Sequence, residues 1–126
     1  MIPKFRAFIK RTEQIEDVTE IDFETEDIEV SSGSWYEIDK VVLMQSTGKS
    51  DIKGNEIWQK SIVKVENHPF QKDKNGCGIE IDGNYLVEWN DEDLTWCVGN
   101  LLLFRLLPYV TVVGDYYRNP ELLEGE

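Results

Sequence analysis

The stretch Val41-Val-Leu-Met-Gln-Ser-Thr-Gly-Lys-Ser-Asp-Ile-Lys-Gly-Asn-Glu-Ile-Trp-Gln-Lys-Ser-Ile-Val-Lys-Val65 decides the fold. Val41 to Met44 is apolar without a break, as in a strand covered on both faces, and Thr47-Gly48 is read as its end. Asp51-Ile52-Lys53-Gly54-Asn55 has the residues of a tight turn. It returns the chain to Ile57-Trp58 and to a strand over Ile62 to Val65. Gly48-Lys49-Ser50 imitates the tail of a phosphate-binding loop. That loop needs a second glycine five residues earlier, where Leu43 stands, and a helix after it, which the pattern lacks. The stretch is therefore β structure and not a nucleotide site.

Upstream, Phe5, Ala7 and Ile9 alternate with Arg6, Phe8 and Lys10, the period of a strand with one face inward. From Glu13 to Glu29 there are nine acidic residues and no basic one. Ile21 and Phe23 alternate with Glu20, Asp22 and Glu24, and Ile28 and Val30 alternate with Asp27 and Glu29. This predicts a half-buried acidic hairpin turning near Thr25 to Asp27. Like charges facing each other across strands cost stability, so this face is a candidate for function as well as a solvated edge that resists aggregation. Ser31-Ser32-Gly33-Ser34 is a loop, and Trp35-Tyr36 lead back to the central stretch.

Downstream, His68-Pro69 and Lys72 to Gly76 form a loop. Lys60, Lys64, Lys72 and Lys74 make this the one mildly basic region, with acids interleaved. A hairpin is expected around a three-residue loop, Asp82-Gly83-Asn84. Ile81 would then pair with Tyr85, Ile79 with Val87 and Cys77 with Trp89, because only this register puts the apolar residues on one face. Thr95 to Val98 reads as a strand. Leu101 to Leu107 reads as either a strand or a buried helical turn, which periodicity does not separate in so short a run. Tyr109 to Val113 is a last strand. Asn119-Pro120 opens a short terminal helical turn, with Asn119 as its cap.

The 126 residues, with 40% hydrophobic and 11% aromatic content, support a packed core. The net charge of −12 disfavours nucleic acid and anionic membranes, because binding phosphates draws its affinity from released counterions. Cys77 and Cys97 are too few for a disulfide framework and too far apart for a zinc knuckle. The lone His68 has no nucleophile motif beside it, and Asp91, Glu92 and Asp93 lack the pattern of a calcium loop. No catalytic, cofactor-binding or metal-binding set is expected. No apolar leader stands at the N-terminus, and Leu101 to Val113 is too short to span a bilayer, so a cytoplasmic protein is expected.

Several motifs resemble those of a known family. Lys4-Phe5-Arg6-Ala7-Phe8 is similar to its opening, and Leu43-Met44-Gln45-Ser46-Thr47-Gly48 to its Leu-Met-Gln-x-Thr-Gly signature. Asp51, Gly54, Asn55, Glu56 and Ile57 resemble the turn that follows. Val113-Gly114-Asp115-Tyr116-Tyr117-Arg118-Asn119-Pro120-Glu121-Leu122-Leu123 resembles its closing motif. These belong to the YopX-like proteins of bacteriophages and prophages, and the resemblance covers nearly the whole chain. One departure is Lys60-Ser61, where the family has Gly-Asp before Ile-Val. The resemblance implies a small β-rich phage protein in the host bacterial cytoplasm. It supplies no mechanism.

The expectation is an all-β chain: a small, partly open SH3-like barrel with additional strands and a short C-terminal helical turn. It forms one YopX-like domain over 1–126, with an N-terminal acidic β subdomain (1–34) before the barrel core (35–126). The expected function is a phage accessory role through protein contacts, with another copy of itself or with a host or phage protein. The alternative is an acidic decoy for a host nucleic-acid-binding protein. The candidate interaction face is Glu20, Asp22, Glu24, Asp27, Glu29 and Trp58.

Overall fold

The computed structural model describes residues 4–68 and 82–123. The chain is all-β and antiparallel, and it forms two compact units, Met1–Ser46 and Thr47–Glu126. Neither of its two sheets closes into a barrel among the described residues. The division after Ser46, twelve residues beyond the expected limit at Ser34, follows from pairing. The strands after Ser34 complete the sheet begun by the first strands.

In the first unit the strands are β1 (Phe5–Ile9), β2 (Gln14–Asp22), β3 (Asp27–Val30), β4 (Trp35–Glu37) and the start of β5 (Val41–Ser50). They lie in the order β4-β3-β2-β1-β5. Consecutive strands β4 and β5 therefore stand four strand spacings, or about 19 Å, apart in a flat sheet. Only the 3-10 turn Ile38–Lys40 joins them, and from Glu37 to Val41 the chain reaches about 14 Å at most. The sheet must roll for the connection to close. Its inner face holds Ala7, Ile9, Ile28, Val30 and Val41, with Val18, Ile21, Tyr36, Ile38 and Leu43 packed against them.

β5 does not end at Thr47-Gly48 as expected. It runs on to Ser50, with Gly48 held at φ +77° within the strand, a conformation glycine adopts without strain. The imitation phosphate loop is thus strand, and Thr47 Oγ1 donates to the Ile57 carbonyl at 2.7 Å.

The second unit adds β6 (Glu56–Trp58), β7 (Ser61–Val65), β8 (Gly83–Asn90), β9 (Thr95–Val98), β10 (Leu101–Leu102) and β11 (Val110–Asp115). Five of them form a sheet in the order β10-β9-β8-β7-β11. One face carries Val63, Val65, Val87, Val98 and Val110 into a core with Ile57, Leu103 and Leu106. Leu101 to Leu107 resolves into both readings in turn. Leu101–Leu102 pairs with β9, and Leu103–Leu106 is the single helical turn α1, which buries Leu103 and Leu106. Among the described residues no helix is long and apolar enough to cross a membrane.

The expected loop Asp82-Gly83-Asn84 is corrected. Gly83 and Asn84 open β8 and pair with Val65 and Lys64, and Tyr85 pairs with Val63. The neighbouring strand β7 offers a full ladder of backbone partners, which a loop would forgo. The expected partners Ile81, Ile79 and Cys77, and the loop Lys72 to Gly76, lie outside the described residues.

Two buried carboxylates replace backbone partners in this unit. Asp51 Oδ1 accepts the amides of Lys53 at 2.9 Å and Asn55 at 2.8 Å, and Oδ2 accepts the Val112 amide at 2.8 Å. Asp51 so clamps its own turn to β11. Burial alone would raise its pKa, but the amides of Val112, Asn55 and Lys53 and the Asn55 side chain outweigh that and hold it below 3.8. Asp115 Oδ1 accepts the Tyr117 and Arg118 amides, and Oδ2 receives Arg118 Nε at 2.7 Å. The expected cap Asn119 turns back instead, its Oδ1 accepting the Asp115 amide at 3.2 Å. Gly114 lies directly beneath: a Cβ there would meet Asn119 Oδ1 at 2.6 Å and its Cβ at 2.9 Å.

Two outcomes are expected. Asp51→Asn loses about 1–3 kcal/mol of stability in urea unfolding at pH 7, because an amide replaces a charged acceptor of several donors. The folded pKa is depressed, so the carboxylate's contribution is present above about pH 3.8 and is lost as pH falls through the folded value. The gap between wild type and variant therefore narrows below pH 3.8. Gly114→Ala loses about 1–3 kcal/mol by the same measurement, since the Asn119 side chain must leave its hydrogen bond.

Candidate functional site

The acidic hairpin forms, with its turn at 23–26 rather than near Thr25 to Asp27, and Asp27 already opens β3. In register, Glu20 faces Glu29 and Asp22 faces Asp27, while Ile21 faces Ile28 between them. β4 extends both rows, because Trp35 pairs with Glu29 and Glu37 with Asp27, and Tyr36 pairs with Ile28. Directly opposed residues share a face. The outer face therefore carries one row of Glu20, Glu29 and Trp35 and a second of Asp22, Asp27 and Glu37, about 6.8 Å apart along the strands. The inner face takes Ile21, Ile28 and Tyr36 into the core. Glu29 is further held by Thr19, whose Oγ1 lies 3.1 Å from its carboxylate.

Of the candidate residues, Glu20, Asp22, Asp27 and Glu29 come together on this face. Glu24 lies apart in the turn, its amide donating to Asp22 Oδ1 at 3.0 Å. Trp58 belongs to the second unit and is only 7% exposed, so it presents no surface there. Trp35, at 48% exposure, is the tryptophan that the acidic face carries. Phe23, which alternation put inward beside Ile21, is instead 82% exposed. The strand ends at Asp22, whose Oδ1 accepts the Glu24 and Thr25 amides and turns the chain, so alternation has no meaning one residue later.

Sequence reading missed a groove at the seam of the rolled sheet. It has a volume of about 600 Å³ and is lined by Ile9, Lys10, Arg11, Trp35, Tyr36 and Lys40. Its walls come from the end of β1, from edge strand β4 and from the 3-10 turn. The Lys10 amide donates to the Lys40 carbonyl at 3.2 Å, and Lys10 Nζ donates to the Asp39 carbonyl at 2.9 Å, which fixes the rim. Three of the five basic residues before Ser46 so gather round an apolar floor, in a chain with a net charge of −12. Among the described residues none of these three forms an ion pair. The positions are scattered over the sequence, so no local run of charge announced the patch.

The second unit has a smaller cleft of about 220 Å³ lined by Leu86, Glu88, Trp89, Asn90, Cys97 and Gly99. Trp89 packs edge-on against Trp96 at 5.3 Å, and Glu88 pairs with Lys60. Asn90 Oδ1 accepts the amides of Glu92 and Asp93, so the acidic run there closes a turn. His68 is buried edge-on against Tyr109 at 4.8 Å. Among the described residues no group of three or more His, Cys, Asp or Glu side chains is placed to hold a metal ion.

Asp27 has an acid on each side, Asp22 and Glu37. Asp27→Lys is expected to stabilise the protein by about 0.5–1 kcal/mol in low-salt urea unfolding, by replacing two like-charge pairs with opposite ones. The gain shrinks at high salt.

No curated protein matches this chain. Among solved structures it is similar to the crystal structure of protein EF1440 from Enterococcus faecalis, at 25% identity and a TM-score of 0.69, over 98% of this chain and 99% of that one. Residues 4–124 match the family described as YopX protein. The match takes in the Asp51 turn, the Gly114-Asp115 corner and the acidic sheet alike, and the chain belongs to the YopX family.

Proposed function

We propose that this YopX-family chain is a phage or prophage accessory protein of the host cytoplasm that works by binding proteins, further copies of itself included, and not by catalysis. The observation that carries the reading is Trp35. It is 48% exposed on an edge strand, with the carboxylates of the outer face on one side and the cationic groove on the other. A half-exposed indole ringed by charge is the composition of an interface anchor, since burying its surface against a partner releases water while the rim sets specificity. An edge strand with free backbone groups adds a second route to association. The phage setting rests on the family.

A second reading has its own support. The two carboxylate rows make a regular anionic surface, which suits a decoy that occupies a host protein's nucleic-acid site.

Light scattering and sedimentation of the free protein, with capture from host lysate at low and high salt, test both. Self-association that deepens with concentration, and weakens in Trp35→Ala, is the expected result. A monomer throughout the micromolar to millimolar range, with no captured partner, overturns the proposal. A monomer that captures one host DNA-binding protein and releases it at high salt selects the decoy.

A further inference from the structure

The first unit carries a knob and a hole of opposite charge. The knob is Phe23 at the tip of the β2-β3 hairpin, 82% exposed and flanked by Asp22, Glu24, Glu26 and Asp27. The turn presents it firmly, because Asp22 Oδ1 accepts the Glu24 and Thr25 amides and Glu26 adopts φ +60°. The Ile38 amide donates to the Glu26 carbonyl at 2.8 Å, which ties the tip to the end of β4. The hole is the seam groove, with Trp35 and Tyr36 as its accessible apolar surface over the buried Ile9, and Lys10, Arg11 and Lys40 round it.

We infer that the groove of one copy takes the Phe23 tip of a second copy, and that this contact is the self-assembly interface. The inference rests on the self-association reading above and names its surface. Charge complementarity selects the occupant. Four carboxylates flank Phe23 along the turn and three cations line the groove, so the approach of tip to groove is electrostatically attractive. Size agrees, because a volume of about 600 Å³ accepts a benzyl side chain together with the flanking turn. The Phe23 ring stacks or packs edge-on against Trp35 and Tyr36, and the carboxylates meet the rim. Knob and hole are different patches, so each copy offers one of each. The contact is reciprocal in a dimer or head-to-tail in a ring.

The test uses the full chain in three forms: wild type, Phe23→Ala, and the double variant Lys10→Glu, Arg11→Glu. All substituted side chains are exposed, and circular dichroism verifies that each variant keeps the wild-type fold. Sedimentation equilibrium is run on each alone and on an equimolar mixture of the two variants, at low and high salt. Each variant alone is expected to dissociate at least tenfold more readily than wild type. The mixture is expected to recover a one-to-one complex, because the intact groove of the Phe23→Ala copy accepts the intact tip of the double variant. Wild-type assembly that both variants retain undiminished overturns this interface but leaves self-association standing. Failure of the mixture to recover a complex, when each variant alone is monomeric, also overturns it. A wild type that stays monomeric up to millimolar concentration removes the self-association reading and this inference together.

Discussion

Three residues, Ile38–Lys40, join two strands that stand four places apart in one sheet. Chain length alone forbids a flat arrangement, since four strand spacings exceed what the link spans. The roll that results gives the first unit an interior. Without it Ile28, Val30 and Val41 would lie on an open face; with it they are at most 5% exposed. It also leaves a seam, because β4 pairs on one side alone. The groove lies at that seam, so the closure that gives this unit a core also shapes the groove.

Magnitudes explain why the acidic face is tolerated. Three opposed carboxylate pairs, Glu20 with Glu29, Asp22 with Asp27 and Asp27 with Glu37, each cost about 0.2–1 kcal/mol. Each large apolar side chain buried beneath them contributes about 1.5–3 kcal/mol. The core outweighs the repulsion several times over, and the face stays available for selection on something other than stability.

The residues that resemble the family's motifs do different work from the surface proposed to bind. Asp51 and Asp115 are buried acceptors that hold a turn and a corner in place, and Gly114 leaves the space that the Asn119 side chain needs. These are chemical requirements of a backbone that turns sharply, so they read as motifs. Phe23, Trp35, Lys10 and Lys40 belong to no such requirement.

The sequence by itself determined the β character, the acidic hairpin with its inward Ile21 and Ile28, the Asp51 to Asn55 turn and the closing helical turn. Each follows from alternation or from turn chemistry within a few neighbouring residues. Tertiary structure alone decided which tryptophan faces solvent, because Trp35 and Trp58 each stand in a three-residue strand and differ only in what packs over them. It also decided that Gly83 and Asn84 are strand, through a ladder to residues about twenty positions earlier. The cationic groove joins positions 9–11 with 35, 36 and 40, which no local pattern connects. Short-range preferences set what each segment is, while the long-range closure of a sheet sets which side chains meet.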